Sequence, residues 1–138
     1  MTTQIVRATL DHLHDVAELF DAYRQWYGQA PDLERATTFI TERLKQSDSV
    51  IFLAIHQSKG VGFTQLYPSF SSVRMRPIWI LNDLFVAESA RNTGVAKNLM
   101  NSAKQFAIET QAARLSLETA NENQPAQALY EKLGWQKN

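Results

Sequence analysis

The chain has 138 residues, 44% hydrophobic and 20% charged, which suits one globular domain over 1–138 with a core of its own. Fourteen basic residues balance fourteen acidic ones and cysteine is absent. The composition therefore argues against a broad basic face for nucleic acid and removes disulfides, thiolate metal sites and a cysteine nucleophile. No window approaches the roughly 20 apolar residues of a membrane helix, and Met1–Arg7 does not read as a signal peptide; a cytoplasmic protein with no membrane partner is expected.

Gln4 to Ala8 is a short strand built on Ile5 and Val6, and Thr9 suits an N-cap. Leu10, Leu13, Val16, Ala17, Phe20, Tyr23 and Tyr27 follow at helical spacing. Gly28 ends that helix and Pro31 sits in the connection. Asp32 caps a second helix carrying Leu33, Ala36, Ile40 and Leu44, and 46–49 is a polar break. The apolar run 50–55 is a strand, Ser58-Lys59-Gly60 a turn, and 61–67 the second arm of a hairpin. Residues 68–76 read as a polar loop, and a third strand runs from Pro77 to Val86. A helix then buries Val95, Ala96, Leu99, Met100, Ala103, Phe106 and Ala107. Residues 114–119 make another strand, and Pro125 opens a last helix with Ala126, Leu129, Tyr130 and Leu133 before Gly134. The order is β-α-α-β-β-β-α-β-α, an α/β (α+β, mixed-sheet) fold with helices on both faces. A last strand after Gly134 is short or missing, which leads us to expect a homodimer that completes the sheet edge. His12 and His14 lie two apart on a helix and face different ways, so no metal site is expected.

The joint between the third strand and the next helix is a small-residue loop, Arg91-Asn92-Thr93-Gly94-Val95-Ala96. Such a loop can hold an anion, because the first N–H groups of a helix have no partner within it. A P-loop pattern is absent, and a dinucleotide fingerprint fails because Gly94 is the only glycine here. The pattern that fits is Arg91-x-x-Gly94-x-Ala96 after a strand.

With that loop the chain resembles the GNAT superfamily of N-acetyltransferases. A second signature strengthens the resemblance: Asn123, Ala126, Tyr130, Gly134 and Trp135 match N-x-x-A-x-x-x-Y-x-x-x-G-[F/W] some thirty residues on. Ala96 stands where glycine is commoner in the family. The resemblance implies a GNAT-type fold, acetyl-CoA as donor, and direct transfer of acetyl to an amine. It implies that Leu84, Phe85 and Val86 form the part of the strand that bulges and pairs with the pantetheine arm. Arg91, Asn92, Thr93, Gly94, Val95 and Ala96 would hold the pyrophosphate, and Asn123 the cofactor arm.

The same resemblance makes Tyr130 the acid that protonates the departing thiolate; by spacing alone it is a core tyrosine. Asn123 also suits a helix N-cap, and Arg91 also suits a solvated loop charge. For the general base the candidates are Asp83, which by alternation faces either the reaction centre or solvent, and Glu118 at the end of the neighbouring strand. A backbone N–H near Val86 is the oxyanion donor. Trp26 and Tyr27, closing the first helix, either clasp the amine or, for Tyr27 with Tyr23, finish the core stripe. Arg74, in the 68–76 loop, either receives a carboxylate of the acceptor or stays solvated. The expected activity is acetyl-CoA-dependent N-acetylation of a small-molecule primary amine, a polyamine or amino-acid-like compound. The alternatives are a protein or histone lysine acceptor, and a non-catalytic acyl-CoA-binding sensor.

Overall fold

The computed structural model describes residues 2–118; the predicted last helix, with Asn123 and Tyr130, lies outside them. Gln4–Arg7 is β1, Leu13–Trp26 α1, Leu33–Gln46 α2, Val50–His56 β2, Lys59–Ser71 β3, Arg76–Val86 β4, Val95–Glu109 α3 and Leu115–Leu117 β5. Short 3₁₀ turns at Leu10–His12 and Glu88–Ala90 precede α1 and the loop before α3. The sheet order is β1-β2-β3-β4-β5, antiparallel through β4, with β5 parallel to β4.

Local chemistry sets the helix ends. The Thr9 hydroxyl accepts from the Asp11 N–H, and the Thr9 N–H donates to His12 Nδ1 at 2.9 Å. Gly28 takes φ +90°, so its N–H reaches Gln25 O at 2.9 Å and the Gln29 N–H reaches Arg24 O at 3.0 Å. That left-handed ending satisfies carbonyls the helix leaves open. Asp32 caps α2 by accepting the Arg35 N–H at 3.1 Å.

Alternate strand residues feed two cores. On one face Ile51, Leu53 and Phe63 pack with Val16 and Leu19 of α1 and Ile40 of α2. On the other, Val50, Leu66 and Leu81 pack with Met100 and Ala103 of α3, and Ala54 and Val61 with Val95 and Leu99. Each fully buried leucine contributes roughly 1.5–3 kcal/mol of transfer free energy.

Several expectations need correction. The β2–β3 turn is Gln57-Ser58, both with positive φ (50° and 64°), and Lys59 already pairs with His56. Two left-handed residues match the twist of a tight hairpin, although neither side chain advertises it. Residues 68–71 are strand rather than loop. Pro68 lies opposite Trp79, whose N–H goes instead to Arg114 O beyond β4, so this ladder asks for no N–H from Pro68. Leu10 and Leu33 are 46% exposed and stand outside the core stripes they were assigned to. The bulge of β4 falls at Asn82, not within 84–86, which pair regularly with Gly62 to Thr64.

Candidate active site

The bulge is what builds the site. Up to Leu81 opposite Leu66 the β3–β4 pairing is regular, and it resumes at Asp83 opposite Gln65, leaving Asn82 as one extra residue. Before the bulge, Pro77 O and the Trp79 N–H bond to the β5 side. After it, the Ala87 N–H bonds to Val61 O, on the β3 side. Alternation along the strand then turns the backbone of 83 and 85 toward β3 and that of 84 and 86 toward the opposite edge. Val86 O on that edge accepts the Arg91 Nε–H at 3.0 Å. β5 pairs only with Trp79 to Leu81, and the Glu118 N–H makes the last bond, to Leu81 O at 3.0 Å. Among the described residues, no strand continues along the edge at 84–86.

Side chains change faces at the same point. Leu81 packs under α3, whereas Phe85 joins the core under α1 and α2. Asp83 is carried with Phe85 to the α1 side, where it is 6% exposed. Gln65 Nε2 donates to Asp83 Oδ2 at 2.9 Å, and Ser49 Oγ donates to Gln65 Oε1 at 2.9 Å. Asn82 Nδ2 donates to Asp83 Oδ1 at 3.1 Å, and the Thr64 hydroxyl donates to Asp83 O at 2.7 Å. Burial pushes the Asp83 carboxyl above the ordinary carboxylate range, opposed by the donors Gln65, Tyr23 and Asn82. Burial first, then the charge of Asp83, raises the Tyr23 hydroxyl. The same two causes raise Tyr67 to about 12, against a lowering by Arg43.

These groups open into a cavity of about 330 Å³, lined by Phe20, Tyr23 and Arg24 of α1, Tyr27 and Gln29 just beyond it, and Tyr67, Asn82 and Asp83. The Tyr23 ring meets Tyr27 edge-on at 5.0 Å and Phe85 at 6.0 Å. An aromatic wall with a carboxylate suits a cation, which both faces attract.

Around the corner of β4 lies the loop before α3. Gly94 takes φ +85°, and a Cβ built there meets nothing within 4 Å. The glycine is therefore required by backbone conformation and leaves its surroundings open to a ligand. No side chain caps α3, and its first internal bond is the Asn98 N–H to Gly94 O at 3.0 Å. The Thr93 hydroxyl donates to Ala90 O. Arg91 lies with its guanidinium 5.6 Å from the Phe85 ring centre, tying the loop to β4.

A strand with an open edge, followed by a loop entering an uncapped helix, is the arrangement expected above, and a family model for the acetyltransferase (GNAT) family matches residues 13–135. The chain belongs to the GNAT family. It is 45% identical over 122 residues to the uncharacterized N-acetyltransferase YhfO of Bacillus subtilis (strain 168), covering 88% of this chain and 82% of that one. It is 42% identical over 103 residues to a probable acetyltransferase of Haemophilus influenzae, covering 74% and 70%. The crystal structure of a probable acetyltransferase superposes with a TM-score of 0.92 at 44% identity, covering 98% of this chain and 91% of that one. At 22% identity and a TM-score of 0.80, an aminoglycoside N-acetyltransferase in complex with CoA shares the fold. This GNAT protein is an acetyl-CoA-dependent N-acetyltransferase.

Its residues can be placed against the sequence expectations. Asp83 is in the cavity, not in solvent, and Tyr27 lines it. Trp26 is 47% exposed and stacks edge-on to Tyr27, behind the lining. Arg74 lies in the exposed 72–75 turn and is not among the lining residues. Glu118 is exposed beside Leu81, also outside the lining. Gln65, Ser49, Tyr67 and Arg24 were not anticipated. The signal for Gln65 was its place inside an otherwise apolar strand, since a buried polar side chain needs partners.

Proposed function

We propose that the enzyme acetylates a small primary amine held in the cavity between α1 and β4, with Asp83 receiving the ammonium and taking its proton. One observation carries this reading: a buried carboxylate, fixed by Gln65 and Asn82, faces an aromatic cavity within one residue of the open edge of β4. The open edge at 84 and 86, the unfilled space beside Gly94 and the uncapped start of α3 fit an extended cofactor ending in phosphates. Acetyl-CoA supplies the activated acyl group as a thioester. Backbone N–H groups of Leu84 and Val86 would hold its arm and stabilise negative charge on the thioester oxygen. Residues 91–96 would hold the pyrophosphate. An amine must be neutral to attack, and a carboxylate with a raised proton affinity suits its deprotonation near neutral pH. On the family resemblance, Tyr130 donates the proton to the departing sulfur and Asn123 holds the arm.

Thiol release from acetyl-CoA across a panel of primary amines tests the reading. Turnover should occur with small amines, and Asp83→Asn should lower kcat/KM by about 10²-fold or more, removing the acidic limb of its pH profile. CoA binding without turnover of any small amine would refute it. Turnover of lysine peptides alone would move the acceptor to proteins.

A further inference from the structure

The cavity lining carries two charged side chains of opposite hydrogen-bonding character, Asp83 and Arg24. Asp83 is an acceptor. Arg24 offers donors only, because a guanidinium has no lone pair to accept a bond. Its Nη1 is spent on Asp21 Oδ1 at 2.8 Å and on Ala30 O at 3.3 Å. Among the described residues, Nε and Nη2 find no hydrogen-bond partner. Asp21 also accepts the Asp32 N–H at 3.0 Å and Gln25 Nε2 at 3.3 Å. The Asp21 side chain is 8% exposed and that of Arg24 24%. The carboxylate thus clamps the α1–α2 link and fixes the guanidinium of Arg24, a cavity-lining residue, with Nε and Nη2 unspent. Close pairing with Asp21 cancels much of the long-range field of Arg24, so what it offers a ligand is directed hydrogen bonding.

We infer that the acceptor carries a carboxylate as well as its amine, and that Arg24 is the specificity-determining residue that binds it. The inference rests on the proposed acceptor cavity. The ammonium sits at Asp83, the aromatic rings of Phe20, Tyr23 and Tyr27 cover the body between, and the carboxylate accepts from Arg24. A diamine fits this arrangement poorly: its second ammonium would meet a group that only donates.

Matched acceptors test this with wild-type enzyme and acetyl-CoA: leucine against isoamylamine, phenylalanine against phenethylamine, and 5-aminopentanoate against cadaverine. In at least one pair the carboxylate-bearing member should have a kcat/KM at least tenfold higher. Arg24→Gln should reduce that ratio tenfold or more, and Arg24→Lys should restore part of it. Preference for the plain amine or diamine in every pair, or a ratio unmoved by Arg24→Gln, overturns the assignment. The wild-type ratio alone tests the acceptor's carboxylate, and Arg24→Lys tests its binder should Arg24→Gln fold poorly. Turnover of plain amines that Asp83→Asn abolishes would overturn only the role of Arg24; no turnover in any pair despite CoA binding would overturn the acceptor cavity too.

Discussion

Gln65→Leu isolates the polar scaffold behind Asp83. Gln65 is fully buried, and leucine is close enough in volume to fill its place without a large cavity. Two hydrogen bonds disappear: the one donated to Asp83 Oδ2 and the one accepted from Ser49 Oγ, each 2.9 Å long. The bond to a charged carboxylate is worth roughly 1.5–3 kcal/mol and the buried Ser49 hydroxyl about 1 kcal/mol. Added apolar burial returns about 1 kcal/mol, so a net loss of about 1.5–3 kcal/mol is expected once Asp83 is ionised. The pH dependence carries the specific signature. The folded-state pKa of Asp83 already lies above its unfolded value, so the native state loses stability as pH rises through it. Removing the Gln65 donor lifts that pKa further. The charge-dependent part of the loss is therefore complete above the variant's folded pKa and fades as pH falls below that of the wild type. Urea denaturation at several pH values measures the first effect; the acidic limb of kcat/KM, displaced to higher pH, measures the second. A loss independent of pH, with an unmoved limb, would refute the account.

Three further outcomes are expected. Gly94→Val places a β-branched residue at φ +85° with no steric neighbour; it should cost about 1–3 kcal/mol through backbone strain and weaken CoA binding by calorimetry, and unchanged affinity would remove the loop from the donor site. Leu99→Ala empties a fully buried position beneath β3 and should cost about 2–5 kcal/mol in chemical denaturation; a smaller loss would mean that α3 collapses onto the gap. Tyr130→Phe should lower kcat far more than it changes CoA affinity; equal kcat would dismiss it as the proton donor.

The elements of the fold were legible where local pattern and tertiary demand agree. The stripe Val16-Ala17-Phe20-Tyr23 gave α1, Gly28 its end and Asp32 the cap of α2. Sequence failed where tertiary pairing overrules local chemistry. Pro68 sits in a strand because its missing N–H lies at a rung that needs none, and that is known only once Trp79 is seen bonding to Arg114 O. The Asn82 bulge carries no composition signal, so the face occupied by Asp83 was undecidable by alternation. The donor loop was visible because its requirement is local: one residue at positive φ entering a helix. The acceptor wall draws on α1, β3, β4 and the α1–α2 link; no short motif spans it.

The single extra residue at Asn82 acts as a phase change within one strand. Without the bulge, with Asn82 paired as an ordinary strand residue, alternation would carry Asp83 to the α3 side of the sheet and Leu84 toward α1. With it, one continuous strand serves two chambers, offering backbone to one and side chains to the other. Substitutions at cavity-facing side chains such as Tyr67 or Asp83 leave the amide spacing of the donor edge intact. Acceptor preference is therefore free to drift in this architecture while the donor site stays constant.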